Sequence, residues 1–498
     1  MARYRQPFER GRDVLMLVKE NRRKGKALII NDIADRILRG VETVQDGVNE
    51  ALFEPVIRLG VTGLSRAGKT VFITSLVANL LDRGRMPQLG GSAAITAAYL
   101  QPQPDDTVAR FDYEAHLAAL TAPDPHWPQS TRAVSELRLS FKVQPTGLLG
   151  AISGPRTVHL DIVDYPGEWL LDLGLMDKSY ADWSVQALAD AQARDEGAAF
   201  LEALGCVDAG APHSEPDAKA LAEPFTAYLN AARAAGYSDC TPGRFLLPGE
   251  MAGSPVLTFA PLPEGSAPRG SLRREFERRF EAYKREVVRP FFRDHFAKID
   301  RQIVLVDALG AIHAGPKAVE DLRRTMADIL SAFRPGRVGR LFALLGQKKV
   351  ERILFAATKA DHIHHSQHAR LTAIMEALVR EARDRADYSG AATSAMSIAA
   401  LRATVEETRD HGGQTLDLVR GRVADGQGGS KQAAFYAGEL PQDPAHILAP
   451  ARQGATAWLG DEYGVMQFLP AQMTLRPHEG PPHIRLDRAA EFLIGDKL

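Results

Sequence analysis

Val56-Ile-Arg-Leu-Gly-Val61 runs directly into Thr62-Gly63-Leu-Ser-Arg-Ala-Gly68-Lys69-Thr70, and a helical apolar pattern from Lys69 to Leu81 follows at once. A β-rich run, a glycine turn and a helix in that order are the context required by the pattern G-x-x-x-x-G-K-[ST]. Gly63 and Gly68 permit backbone angles that a Cβ forbids, so successive N–H groups can converge on one anion. The start of the helix adds its positive dipole end. The candidates for holding a triphosphate are therefore Gly63, Ser65, Arg66, Ala67, Gly68, Lys69, Thr70 and Val71. Lys69 offers a point charge to the β- and γ-phosphates and so is also a catalytic candidate, while the Thr70 hydroxyl is a candidate Mg²⁺ ligand.

Two more elements extend this reading. Asp161-Ile-Val-Asp164-Tyr-Pro-Gly167-Glu168 closes an apolar run that starts near Val158. A carboxylate at such a strand end can hold Mg²⁺ through water, and a glycine three residues on can offer its N–H to the γ-phosphate. Asp164 is the metal candidate and Gly167 the catalytic donor; Asp161 is the rival carboxylate but lacks the following glycine. Thr358-Lys359-Ala360-Asp361 follows a second apolar run, Arg352 to Ala357. A carboxylate there accepts hydrogen bonds from guanine N1 and N2 that adenine cannot supply, and the Lys359 stem would cover the base. Thr358 stands where Asn is commoner, which leaves an ATPase as an open alternative.

Hydrolysis needs an oriented water and charge neutralisation. Glu168 follows Gly167 directly and is the water-orienting candidate, with slow turnover expected because its charge lies near the phosphates. Thr131 is the candidate for a second Mg²⁺-sensing hydroxyl, an ordinary turn before a strand being the alternative. Arg132 beside it is the first choice for a catalytic cation, ahead of Arg66 and Arg244. A scaffold that holds nucleotide without turnover also stays open.

The chain has 498 residues, 45% hydrophobic and 25% charged, with a net charge of -1. That balance describes globular cores and no global field for nucleic acid. Cys206 and Cys240 are too few for a disulfide framework. No apolar run approaches the roughly 20 residues of a membrane-spanning helix. Met1 to Lys26 is basic, and Ile29 to Phe53 carries a helical apolar pattern. Strands are expected at Val134 to Val143, Val158 to Val163, Ile303 to Val306, Ile353 to Ala357 and Ala391 to Ile398. Helices are expected at Lys178 to Leu204, Pro216 to Ala235 and Leu272 to Phe296. The expected fold is α/β: a P-loop core with a mostly parallel sheet (51–170 and 302–403), a mainly helical insert (171–301) and a small β-rich appendage (404–498). Residues 1–50 form a basic arm and amphipathic helix. Leu416 to Val423 and Ala433 to Ala437 should pair as a hairpin around Asp425-Gly-Gln-Gly-Gly429. His362, His364, His365 and His368 have metal-ligand spacing, but no neighbouring Cys or carboxylate completes a set, so they read as a polar helix start.

These elements together resemble the YcjX family of bacterial P-loop GTPase-like proteins. The residues carrying the resemblance are Gly63-Leu-Ser-Arg-Ala-Gly-Lys-Thr-Val-Phe-Ile73, Asp164-Tyr-Pro-Gly-Glu-Trp-Leu-Leu-Asp-Leu-Gly-Leu-Met176 and Thr358-Lys-Ala-Asp-His362. Pro242 to Val256, Ser397-Ile-Ala-Ala-Leu-Arg-Ala-Thr404 and Phe492-Leu-Ile-Gly-Asp-Lys-Leu498 add to it. The resemblance implies a Ras-like core, GTP or GDP with Mg²⁺, and a stress-linked protein of the cytoplasm or the inner-membrane periphery, with an undefined and membrane-associated protein partner. It also implies that Ser397 and Ile398, with Ala399, form the last base-contacting loop.

Overall fold

β1 (Val56–Gly63) ends at the glycine loop and α1 (Lys69–Leu81) begins beyond it. The computed structural model describes residues 54–63, 67–129, 133–144, 155–331, 350–388, 391–426, 428–458 and 463–498. The expected helix at Ile29 to Phe53 and the basic arm lie outside these residues. After α1 come β2 (Ile95–Gln101), β3 (Ala109–Arg110), α2 (Tyr113–Thr121), β4 (Ser135–Val143) and β5 (Arg156–Asp164). A helical stretch follows: α3 (Gly167–Leu171), α4 (Tyr180–Ala193), α5 (Ala198–Gly205), α6 (Glu215–Ala235), α7 (Gly243–Leu246), α8 (Leu272–Tyr283) and α9 (Arg289–Asp294). The chain returns through β6 (Arg301–Val306), α10 (Ala308–Ala314), α11 (Pro316–Ser331), β7 (Arg352–Ala357), α12 (His368–Tyr388) and β8 (Ala392–Ser397). It closes with β9 (Thr404–His411), β10 (Gln414–Ala424), β11 (Ser430–Phe435), α13 (Ala445–Arg452) and α14 (Leu486–Ile494).

The main sheet has the order β2-β4-β5-β1-β6-β7-β8, with β3 beside β4. β1, β6, β7 and β8 run parallel, whereas β2, β4 and β5 form an antiparallel wing. The chain leaves β1 for one side of the sheet and later returns to the other, so the strand order reverses at β1. Ligands of open α/β sheets bind at the carboxyl end of such a switch point. The glycine loop lies at that end.

Strand alternation divides the apolar side chains between two cores. Ile303 and Leu305 of β6 and Leu354 of β7 join Phe72, Ile73 and Leu76 of α1 on one face. Val304, Val306 and Phe355 face the other, where Leu322 and Met326 of α11 and Ile374 and Met375 of α12 cover them. The helical stretch has no separate core. Its aromatics, among them Trp183, Phe225, Phe259 and Phe280, belong to the same contiguous cluster as that second face. A mainly parallel α/β sheet with a helical insert is the observed architecture, and β9, β10 and β11 form the small antiparallel sheet near the C-terminus.

Local signals start the insert helices. Ser179, Ser214 and Ser271 accept the N–H of Asp182, Asp217 and Arg274, filling donors that a helix start leaves open. The helix expected over Lys178 to Leu204 is interrupted. Arg194 leaves the helical backbone and its guanidinium pairs with buried Asp321 at 2.7 Å. Gly197 then passes so near that a Cβ would meet the Ala191 carbonyl at 2.0 Å. Several elements have no counterpart in the expected strands and helices, among them α11, α12, β2 and α14. β2 is a half-buried edge strand, and α14 returns to the main sheet, where Leu493 is fully buried and its carbonyl accepts from Arg301 at 3.0 Å. Truncating that contact should cost about 2–5 kcal/mol. We expect Leu493→Ala to lower the urea midpoint clearly, and an unchanged midpoint would remove α14 from the core.

Candidate functional site

A cleft of about 1390 Å³ opens at the carboxyl end of β1. Gly63, Ala67, Gly68, Lys69, Thr70 and Val71 line it, as do Gly167, Glu168, Lys359 and Asp361. Three stretches of sequence far apart in the chain thus meet around one space. Gly68 sits at φ 77, the left-handed region that a glycine enters without strain. At Gly63 a Cβ would meet the Cβ atoms of Ala67 and Leu305 at 3.2 Å, so the loop is packed too closely for a side chain to fit without a shift. Among the described residues no side chain caps α1, and no acidic residue occupies its first turn. Its N-terminal field is left for a ligand.

Lys69 lies between two acceptors. Its Nζ is 2.5 Å from Asp164 Oδ1 and donates to the Tyr165 carbonyl at 2.8 Å. Asp164 is fully buried at the end of β5, and among the described residues neither carboxylate oxygen receives a hydrogen bond. A buried carboxylate held by one ammonium alone is poorly compensated. Such a group fits a hard divalent cation, for which carboxylate and hydroxyl oxygens are the right donors. Thr70, 6% exposed at the first turn of α1, is the second oxygen donor nearby in the loop.

Asp361 is buried, with Oδ2 accepting the Ala403 N–H at 2.8 Å. Its backbone carbonyl accepts the Thr404 hydroxyl. The side chain is thereby oriented by the start of β9. Lys359 has φ 60 and pairs through Nζ with Asp307 at the end of β6. Asp307 also caps α10 by accepting the Gly310 N–H at 3.0 Å. Asp307-Ala-Leu-Gly310 repeats the carboxylate–glycine spacing of Asp164 to Gly167, and here the spacing serves a helix start.

Glu168 faces Arg233, at 2.6 Å between Oε1 and Nη2. Arg233 lies in the last turn of α6 and lines the same cleft. Arg233 is not among the cations that the sequence offers as candidates, which are Arg66, Arg132 and Arg244. Arg66 and Arg132 fall outside the described residues, as do Ser65 and Thr131. Arg244 is committed elsewhere: its guanidinium stacks over the Trp169 ring, 3.2 Å from the centroid. Ser397 and Ile398 do not reach the cleft. Ser397 Oγ is buried in a network with Thr372, the His368 carbonyl and Arg485. Ile398 is fully buried. Ala399, Ala400 and Leu401 line the cleft instead, because the turn out of β8 only then emerges from the sheet. Gln467 and Phe468 form part of the opposite wall, and Trp127 donates to the Phe468 carbonyl at 2.8 Å.

Beyond Glu168 the segment is tied to the insert. Trp169 donates to the Leu247 carbonyl at 3.2 Å. Gly243 passes so near Glu168 that a Cβ would meet its carbonyl at 2.1 Å. Asp172 is buried; it accepts from the Gly243 N–H at 2.7 Å and from the Tyr283 hydroxyl. Burial pushes its carboxyl up to about 7, against the lowering effect of those two hydrogen bonds.

Over residues 57–498 the sequence matches the YcjX-like family (DUF463). A protein of Escherichia coli (strain K12) described as a Ras-like GTPase YcjX is 36% identical over 460 residues, covering 89% of this chain and 96% of that relative. A Shewanella oneidensis protein of the same description is 34% identical over 475 residues, covering 89% of this chain and 94% of its own length.

An acid whose folded-state value is raised contributes stability at low pH, lost as pH climbs through the folded value. The Asp172 contribution should therefore decline from about pH 4 to a little above 7, the window between its ordinary and raised values. We expect urea midpoints to fall with rising pH across that range. Asp172→Asn should remove that part of the slope, and an equal slope in both proteins would contradict the assignment.

Proposed function

The chain belongs to the YcjX-like family, and from that premise we propose that it binds GTP and GDP with Mg²⁺ and hydrolyses GTP slowly as a nucleotide-dependent switch. The observation that carries this is the convergence of the glycine loop, Pro166 to Glu168, and Lys359 and Asp361 on one cleft, with buried Asp164 paired to the lining residue Lys69. The relatives' description as Ras-like GTPases supports it. In this reading Gly68, Lys69 and the first N–H groups of α1 hold the phosphates. Thr70 and Asp164 would hold Mg²⁺, which supplies neutralising charge on the phosphate oxygens. Gly167 offers its N–H to the γ-phosphate. Ser65, Arg66, Thr131 and Arg132 would complete the phosphate side. Lys69 exchanges the Asp164 carboxylate for phosphate oxygens, which releases Asp164 to its second role.

Asp361 would select the base. One of its oxygens is taken by Ala403, which would leave the other to accept from the guanine N1–H and the exocyclic amine. Ala399 to Leu401 form the rest of that wall. Glu168 would orient the attacking water. Its pairing with Arg233 offsets the negative charge beside the phosphates and holds the carboxylate away from free rotation. The restraint on the carboxylate agrees with slow turnover, whereas the offset of its charge lessens the repulsion that would slow the reaction. A role in stress response, and a partner at the membrane, follow from the family resemblance alone. Among the described residues no helix is long and apolar enough to cross a membrane.

Affinities for GTP, GDP, ATP and ADP in Mg²⁺ test the base assignment. Guanine nucleotides should bind at least about 100-fold more tightly than adenine nucleotides. Asp361→Asn should reverse the preference toward xanthine nucleotides, since the amide can keep its oxygen on Ala403 and turn its N–H₂ to the base. Equal affinity for GTP and ATP would point to the ATPase reading. In single-turnover hydrolysis, Glu168→Ala should be slower by about 10-fold or more. Glu168→Gln should fall between Glu168→Ala and the unsubstituted protein, and equal rates in all three would remove Glu168 from the mechanism.

A further inference from the structure

His364 and His365 follow the base-selecting Asp361 on a short turn, and two carboxylates arrive beside them from the small sheet. Glu406 comes from β9 and Asp417 from β10. Glu406 Oε2 lies 2.7 Å from His365 Nδ1 and 3.8 Å from His364 Nε2, so one oxygen faces both imidazoles. The three donor atoms lie within 4.8 Å of one another. Donors around a tetrahedral ion with bonds of about 2.0–2.1 Å stand about 3.3 Å apart, and these distances bracket that value. On the far side of the His364 ring, Nδ1 lies 2.9 Å from Ser366 Oγ and 3.2 Å from Asp417 Oδ2, and the Ser366 hydroxyl donates to that same carboxylate at 3.2 Å. A carboxylate on the second nitrogen is the arrangement that fixes the tautomer of a metal-ligating histidine.

We propose that His364 Nε2, His365 Nδ1 and Glu406 hold a divalent transition-metal ion of the Zn²⁺ class, with Asp417 orienting His364. The donor set favours that class over Mg²⁺ or Ca²⁺, which take oxygen ligands. His365 is 68% exposed at its side chain, which leaves a face of the ion open to water. The rings of His364 and His365 have centroids 4.2 Å apart.

The placement gives the ion a structural role. Thr404 and Ala403, at the start of β9, already bond the backbone and side chain of Asp361. Glu406 is two residues further along that strand. An ion here would staple the small sheet to the loop that carries Asp361. The proposal is independent of whether Asp361 binds guanine. The histidine spacing was visible in the sequence; the carboxylates were not, because they come from strands more than one loop away.

The test uses the untagged full chain with no nucleotide and excess Mg²⁺. Co²⁺ titration read by visible absorption, and Zn²⁺ content after dialysis, are compared for the unsubstituted protein, His365→Ala and Glu406→Gln. The expected result is about one Zn²⁺ per chain, a d–d band of four-coordinate Co²⁺, and a Zn²⁺-dependent rise in melting temperature. Both variants should lose the band, the bound Zn²⁺ and the rise, while melting like the unsubstituted protein in the presence of a chelator. Should one variant fail to fold, the other decides. No binding by the unsubstituted protein, or equal binding by a folded variant, would overturn the site and leave an ion-pair cluster only.

Discussion

The contact between Lys69 and Asp164 is the constraint on which the rest depends. It joins the first residue of α1 to the last residue of β5 across the centre of the sheet at 2.5 Å, with the carboxylate buried and the Lys69 side chain reaching the cleft. Burying a carboxylate is costly, and this one receives no hydrogen bond among the described residues. A well-packed apolar pair would serve stability as well or better. The arrangement makes sense as a charge balance awaiting a stronger partner. A triphosphate would draw Lys69 away, and a divalent cation would replace the ammonium at Asp164.

Whatever moves Asp164 acts on the segment that follows. Tyr165 donates to Gln302 at 2.7 Å, Glu168 pairs with Arg233, Trp169 is stacked by Arg244, and Asp172 is closed between Gly243 and Tyr283. Four successive attachments bind residues 165–172 to the sheet and to three separate parts of the insert, α6, α7 and α8. The insert aromatics are continuous with one face of the sheet. A shift at the phosphate side therefore has a packed route outward, and a close-packed interior transmits it. The switch reading rests on this connectivity.

The parallel strands were legible because β1, β6 and β7 are short apolar runs that end at chemical motifs. Asp164 and Asp361 were legible for the same reason: a strand end places its next polar residue at the mouth of the sheet. Two features that escaped had weak local signal. β2 is a half-exposed edge strand with Ala97 and Ala98 at its middle. The pairing of Glu168 with Arg233 depends on how α6 docks, which no periodicity encodes. Carrying a loop over by motif alone placed the base contacts at Ser397 and Ile398. The parallel register of β8 with β7 keeps Ser397 inside the sheet, opposite Ala357, and the cleft begins at Ala399.

The central claim is that γ-phosphate, sensed at Asp164 and Gly167, is reported to the insert through residues 165–172. Hydrogen exchange on the full chain, with Mg²⁺ and either a non-hydrolysable GTP analogue or GDP, tests it directly. The account predicts lower protection with GDP across residues 165–175 and in the insert segments they contact, around Arg233 and Gly243 to Leu247. Protection that is the same in both states across residues 165–300 would contradict it.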